Sequence, residues 1–147
     1  MTVMRRMLAA LLLLGLTGLS AELVLLDHYE DLWQVIPLVL IGAAVLSLAW
    51  SVATPAGPSF RTFRVVMVLL VASGLLGIGL HFWANLEFQL EVDPLLGRAE
   101  LFWKAMHATA PPALAPGIMV QLGLLGLIYA YRQPGSGGTS HATGGTL

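Results

Sequence analysis

Glu22, His28, His81 and Glu87 are the side chains of this sequence best suited to chemistry, because imidazole and carboxylate together ligate Zn, Fe, Mn or Cu. His28 and His81 belong to different segments, so the pair could also supply the two axial ligands of a haem. Glu22 has a further use. It lies four residues before the end of an apolar run, about 6 Å below the surface of a membrane at about 1.5 Å per residue. An ionised carboxyl costs up to about 2.5–3.5 kcal/mol in hydrocarbon and seeks a partner or a proton, which is the starting point for a proton-coupled carrier. Gln34, His81, Asn85 and Gln121 reach a similar depth from other segments and with Glu22 make a polar layer. Such a layer could equally be structural, with amides that donate and accept locking helices together. Glu87 and Glu91 are four apart and repel unless a cation or proton intervenes.

No HExxH, Glu-x-x-His or paired-histidine motif singles out one of these readings. The absence of cysteine removes disulfides, thiolate metal sites and thiol redox chemistry. There is no phosphate-binding glycine loop, no nucleophile elbow and no basic stripe, so a nucleic-acid partner is excluded. His107, before Pro111-Pro112, is a third candidate ligand, and His141 in the tail is incidental.

The elements that must position these groups are apolar. Hydrophobic residues make up 57% of the 147 and charged ones 10%, a balance that a bilayer dissolves and a soluble core of this size cannot hide. Segments at about 7–26, 32–53, 65–83 and 113–131 are each long enough to cross about 30 Å of hydrocarbon as helices. The expected fold is therefore all-α: a four-helix transmembrane bundle forming a single membrane domain over residues 1–132. The tail 133–147, rich in Gly, Ser and Thr, is expected to be disordered.

Charge sets the orientation. Arg5, Arg6, Arg61, Arg64 and Arg132 all fall on one side, whereas the eight acids fall in or beside the two opposite connections. Arginine is retained on the cytoplasmic side, so both termini are expected to be cytoplasmic. Residues 7–21 resemble a signal-peptide core, but Leu19 is a poor residue three positions before a cut and the apolar run continues to Leu26. They are read as a retained span. Pro55, Gly57 and Pro58 make "TPAGPSFRTFR" a short inner loop. On the outer side, span three should continue past Trp83 until Asp93-Pro94 stops it. Residues 98–108 should then form an amphipathic piece, with Glu100 four before Lys104, that caps the bundle between helices three and four.

Gly15, Gly18, Gly42, Ser73, Gly74, Gly77, Gly123 and Gly126 lie within the spans, where small residues let backbones approach. Contacts within one chain are the expected use.

"HYEDLWQVIPL" at 28–38, "LHFWANLEFQLE" at 80–91 and "ALAPGIMVQLGLLGLIYAYRQP" at 113–134 together resemble a group of small, uncharacterised bacterial integral membrane proteins. The resemblance covers most of residues 5–134 and implies four spans in an inner membrane, with no activity attached. The function expected is that of a non-enzymatic accessory or structural subunit. Its partners are the lipid bilayer and a larger membrane complex or further copies of itself. The alternatives are a protein holding a divalent metal or haem through Glu22, His28, His81 and Glu87, and a proton-coupled carrier centred on Glu22.

Overall fold

The computed structural model describes residues 3–108 and 114–133, and every regular element among them is an α-helix. Five helices run in the order α1 (Val3–Leu25), α2 (Leu32–Ala53), α3 (Gly57–Val92), α4 (Arg98–Met106) and α5 (Ala115–Tyr129). Three of them, α1, α2 and α3, are long and apolar enough to cross a membrane. Pro111, Pro112, His141 and the tail beyond Gln133 lie outside the described residues.

Helix α1 is unbroken through Ala21 and turns Leu12, Leu16, Leu19 and Leu23 inward at helical spacing. In α2 the inward face carries Ile41, Ala44 and Leu48 beside two buried serines. Each serine hydroxyl donates to a carbonyl three residues back, Ser47 to Ala44 (3.1 Å) and Ser51 to Leu48 (2.9 Å), so neither leaves a polar atom unpaired in an apolar setting.

The expected loop at 54–64 is mostly helix. α3 begins at Gly57, because Pro58 falls in its first turn, where its missing N–H costs nothing. Ser59 fixes that start: its hydroxyl proton is shared between Thr54 O (2.7 Å) and Ala56 O (2.9 Å), and its oxygen accepts from Ala56 N (3.2 Å). At the far end α3 runs to Val92 and stops at Asp93, as the Asp-Pro pair demands. Its 36 residues reach about 54 Å, well beyond one hydrocarbon thickness. The amphipathic piece is α4, held to the projecting end of α3 by Phe82 against Phe102 (5.7 Å) and Asn85 Nδ2 donating to Ala105 O (3.1 Å). Its Glu100–Lys104 pair closes at 3.0 Å.

Helix α3 packs on α2, α5 and α4, and α1 packs on α2 and α5, so α1 and α3 stand diagonally opposite. The α3–α5 contact is antiparallel and glycine-mediated. A Cβ on Gly74 would stand 2.6 Å from Pro116 O, and one on Gly123 would stand 2.9 Å from Met67 O. Only hydrogen fits at either position, and the two backbones meet there. Gly126 likewise abuts Met67 and Phe63. Gly74 and Gly77 of α3 and Gly123 and Gly126 of α5 thus serve contacts within the chain, whereas Gly18, Gly42 and Gly79 face open space.

Candidate functional site

A cleft of about 600 Å³ opens at the end of the molecule where α1 stops and α2 begins. Helices α1, α2, α3 and α5 all contribute to it: Glu22 and Leu23 from α1, Gln34 and Pro37 from α2, Ser73, Gly77 and His81 from α3, and Pro116 and Met119 from α5. Its lining is mainly apolar, with Glu22, His28, Gln34, Ser73 and His81 as the polar exceptions.

His28 reaches this cleft because of how α1 ends. The amide of His28 donates to Leu23 O (2.9 Å) and that of Asp27 to Val24 O (3.1 Å), the crossed pair of a Schellman stop. This motif requires a left-handed residue, and Asp27 supplies it with φ of 53°. The chain then reverses over the end of α1 and delivers His28 to His81. Their ring centroids lie 6.1 Å apart with planes 23° from parallel. Both rings are partly buried. Because α1 and α3 do not pack on each other, this pair spans the diagonal between them.

Gln34 has two duties. It lines the cleft, and it also secures the start of α2, with its amide N–H donating to Asp31 Oδ1 (3.0 Å) and its Oε1 accepting from Glu30 N (2.9 Å). That reciprocal arrangement is a capping box displaced by one residue. The Asp-x-x-Gln spacing at 31–34 signals it in the sequence, and a reading of Gln34 only as a membrane-depth polar group overlooks it. Tyr29 and Asp27 form a second overlooked link, the hydroxyl donating to Oδ1 at 2.8 Å. Donating this bond holds the Tyr29 proton, and with a smaller contribution from desolvation it raises the Tyr29 pKa above its ordinary 10.0.

The rest of the expected layer does not assemble. Glu87 accepts from Trp83 Nε1 (2.7 Å) on the exposed face of α3, away from the cleft. Asn85 serves the α4 contact, and Gln121 is exposed on α5 and does not line the cleft. Register explains these departures. Residues at equal depth share a layer only if their helical phase also turns them inward, and hydropathy carries depth but not phase. His107 bonds through Nδ1 to Trp103 O within its own segment (2.9 Å). Among the described residues no three His, Asp or Glu side chains come together as a metal cluster. Gln34 bonds instead to Glu30 and Asp31, and Asn85 to Ala105.

The opposite end carries a cluster that the sequence reading missed. Arg5 donates to Gln133 Oε1 (2.7 Å) and lies over the rings of Tyr129 (5.0 Å) and Phe60 (5.4 Å). Arg64 donates to Ala130 O (2.9 Å) and Gln133 O (3.0 Å), closing carbonyls at the end of α5, where a cation also meets the negative end of the helix dipole. Gln133, expected to open the disordered tail, is fixed between these two arginines. Comparison with protein-family models, curated proteins and solved structures returned no match to this chain.

Proposed function

We propose that this chain is a four-span protein of a bacterial inner membrane, with both termini cytoplasmic. In this reading it is a non-enzymatic accessory subunit that presents a binding cleft at the extracytoplasmic end. The observation that carries the reading is the cleft itself. Glu22, His28, Ser73 and His81 line a mainly apolar volume, an arrangement suited to receiving a ligand.

The fourth span is α5. Its 15 residues rise about 22 Å, and its length runs beside α3 from Pro116 at Gly74 to Ala130 at Arg64. Leu114 before it and residues 130–133 after it extend the crossing, with α3 as the neighbouring wall. Arg5 and Arg64 meet at one end of the helices and Glu22 stands at the other, in keeping with arginines on the cytoplasmic side. The projecting end of α3, with α4 folded on it, then forms the outer cap.

Ser73 lies on the cleft wall two turns deeper than His81. In Ser73→Cys a small water-soluble maleimide should react from the outer face of spheroplasts, more slowly than at an exposed loop and faster than at lipid-facing Leu76→Cys. Equal protection of Ser73→Cys and Leu76→Cys would overturn the cleft. The accessory role predicts recovery from mild detergent with a larger membrane partner, and purification from native membranes as a solitary chain would overturn that role.

A further inference from the structure

We infer that the cleft is a bis-histidine haem site, with His28 and His81 as the axial ligands of a non-covalently held iron porphyrin. This rests on the binding cleft proposed above and names its occupant. A metal bound by imidazole stands about 2.0–2.1 Å from the ligating nitrogen, itself about 1.1 Å from the ring centre, so two opposed imidazoles place their centroids slightly over 6 Å apart. The observed separation is 6.1 Å, between rings from two different segments. The rings are stacked with planes 23° from parallel, so ligation requires each imidazole to turn about its side-chain torsions until a nitrogen edge faces the iron, a change that leaves the spacing of the two segments intact.

Three further observations favour a porphyrin over a bare cation. No third His, Asp or Glu joins the pair as a metal cluster among the described residues, so a Zn or Cu ion would be left short of protein ligands. A porphyrin brings four equatorial nitrogens and needs only the two axial ones. The space beside the pair is far larger than an ion requires, about 600 Å³, and is walled by Trp33, Pro37, Leu80, Pro116 and Met119, apolar surfaces on which a flat macrocycle can lie. Glu22 is the carboxylate on this wall, and a ferric porphyrin core carries a net positive charge that it would offset where the dielectric is low. With no cysteine in the chain, thioether attachment is ruled out and the group is held by ligation and packing alone.

The test is spectroscopic. The full chain is expressed with a haem precursor, purified in mild detergent and compared with His28→Ala, His81→Ala and His28→Met, each checked for helix content and monodispersity. A sample purified without the precursor is titrated with haemin. The expected result is one haem per chain with a six-coordinate low-spin spectrum. Either alanine variant should lose that spectrum or convert it to a five-coordinate high-spin one. His28→Met should retain haem with a shifted band, because the thioether replaces one axial nitrogen. A folded wild-type protein that takes up no stoichiometric haemin would overturn the inference, as would a band indifferent to both alanine substitutions. Stoichiometric Cu or Zn without haem would overturn it in favour of a cation. In either case, labelling of Ser73→Cys from the outer face would leave the cleft standing without its porphyrin, whereas protection of Ser73→Cys in haem-free protein would remove the cleft itself.

Discussion

Asp27 occupies a left-handed conformation that costs an ordinary side chain roughly 1–2 kcal/mol, and asparagine or glycine is the usual choice there. The aspartate is tied by its bond from Tyr29, which joins the backbone stop of α1 to the turn carrying His28. The link has a defined pH signature. Tyr29 holds its proton more tightly folded than unfolded, so the stabilisation is complete below about pH 10 and is lost as pH rises through the higher folded-state pKa. Phenolate absorbance should therefore show the Tyr29 transition, isolated as the difference between the wild type and Tyr29→Phe, above pH 10. In Asp27→Asn it should return toward 10. Superimposable curves for the wild type and Asp27→Asn would remove the link. Serines show the same local logic: Ser47 and Ser51 bond within their own helix, so neither needs a partner across the interface.

At the level of elements, the contact between α3 and α5 depends on positions where no Cβ fits. Gly123→Leu must displace Val71 and the backbone at Met67, and this overpacking should cost about 1–3 kcal/mol. Gly18→Leu meets open space and should fall within about 0.5 kcal/mol of the wild type. Denaturant unfolding in one detergent measures both, and equal stabilities would show that the crossing is not glycine-dependent. The sequence makes the apolar segments legible, because bilayer thickness fixes their length, and it marks the C-terminal stop of α3 through Asp93-Pro94. It misleads at the N-terminal start of the same helix, since proline breaks a helix interior but opens a first turn, and only Ser59 decides between the two. In the site, Glu22, His28, Gln34 and His81 are legible from depth alone. Gln121 and Asn85 are not, because their helical phase turns one outward and the other to α4. The Arg5–Tyr129 and Arg64–Ala130 contacts join residues more than sixty positions apart, and no local pattern announces such pairs.

For the molecule as a whole, charge asymmetry and packing point the same way. Arg5 and Arg64 tie α1 and α3 to the end of α5, and in the proposed topology they are also among the arginines held on the cytoplasmic side. The proposed orientation and the closure of the helices at that end would thus share the same side chains. The lack of cysteine gives every single-cysteine variant a silent background. Thr54 stands in the connection between α2 and α3, Glu30 in that between α1 and α2, and Asp93 beyond the far end of α3. If the proposed topology holds, a membrane-impermeant maleimide should label Glu30→Cys and Asp93→Cys in intact spheroplasts, and Thr54→Cys only after lysis. Labelling of all three in intact cells would refute a single orientation, and the reverse pattern would place the cleft in the cytoplasm. Replacing the exposed Arg6 and Arg61 by serine separates the two roles of arginine. Neither makes the inner contacts of Arg5 and Arg64, so the helices should stay closed while the orienting charge falls. A mixed labelling pattern in a protein of unchanged stability would then show that charge sets the direction of insertion independently of the packing it supports.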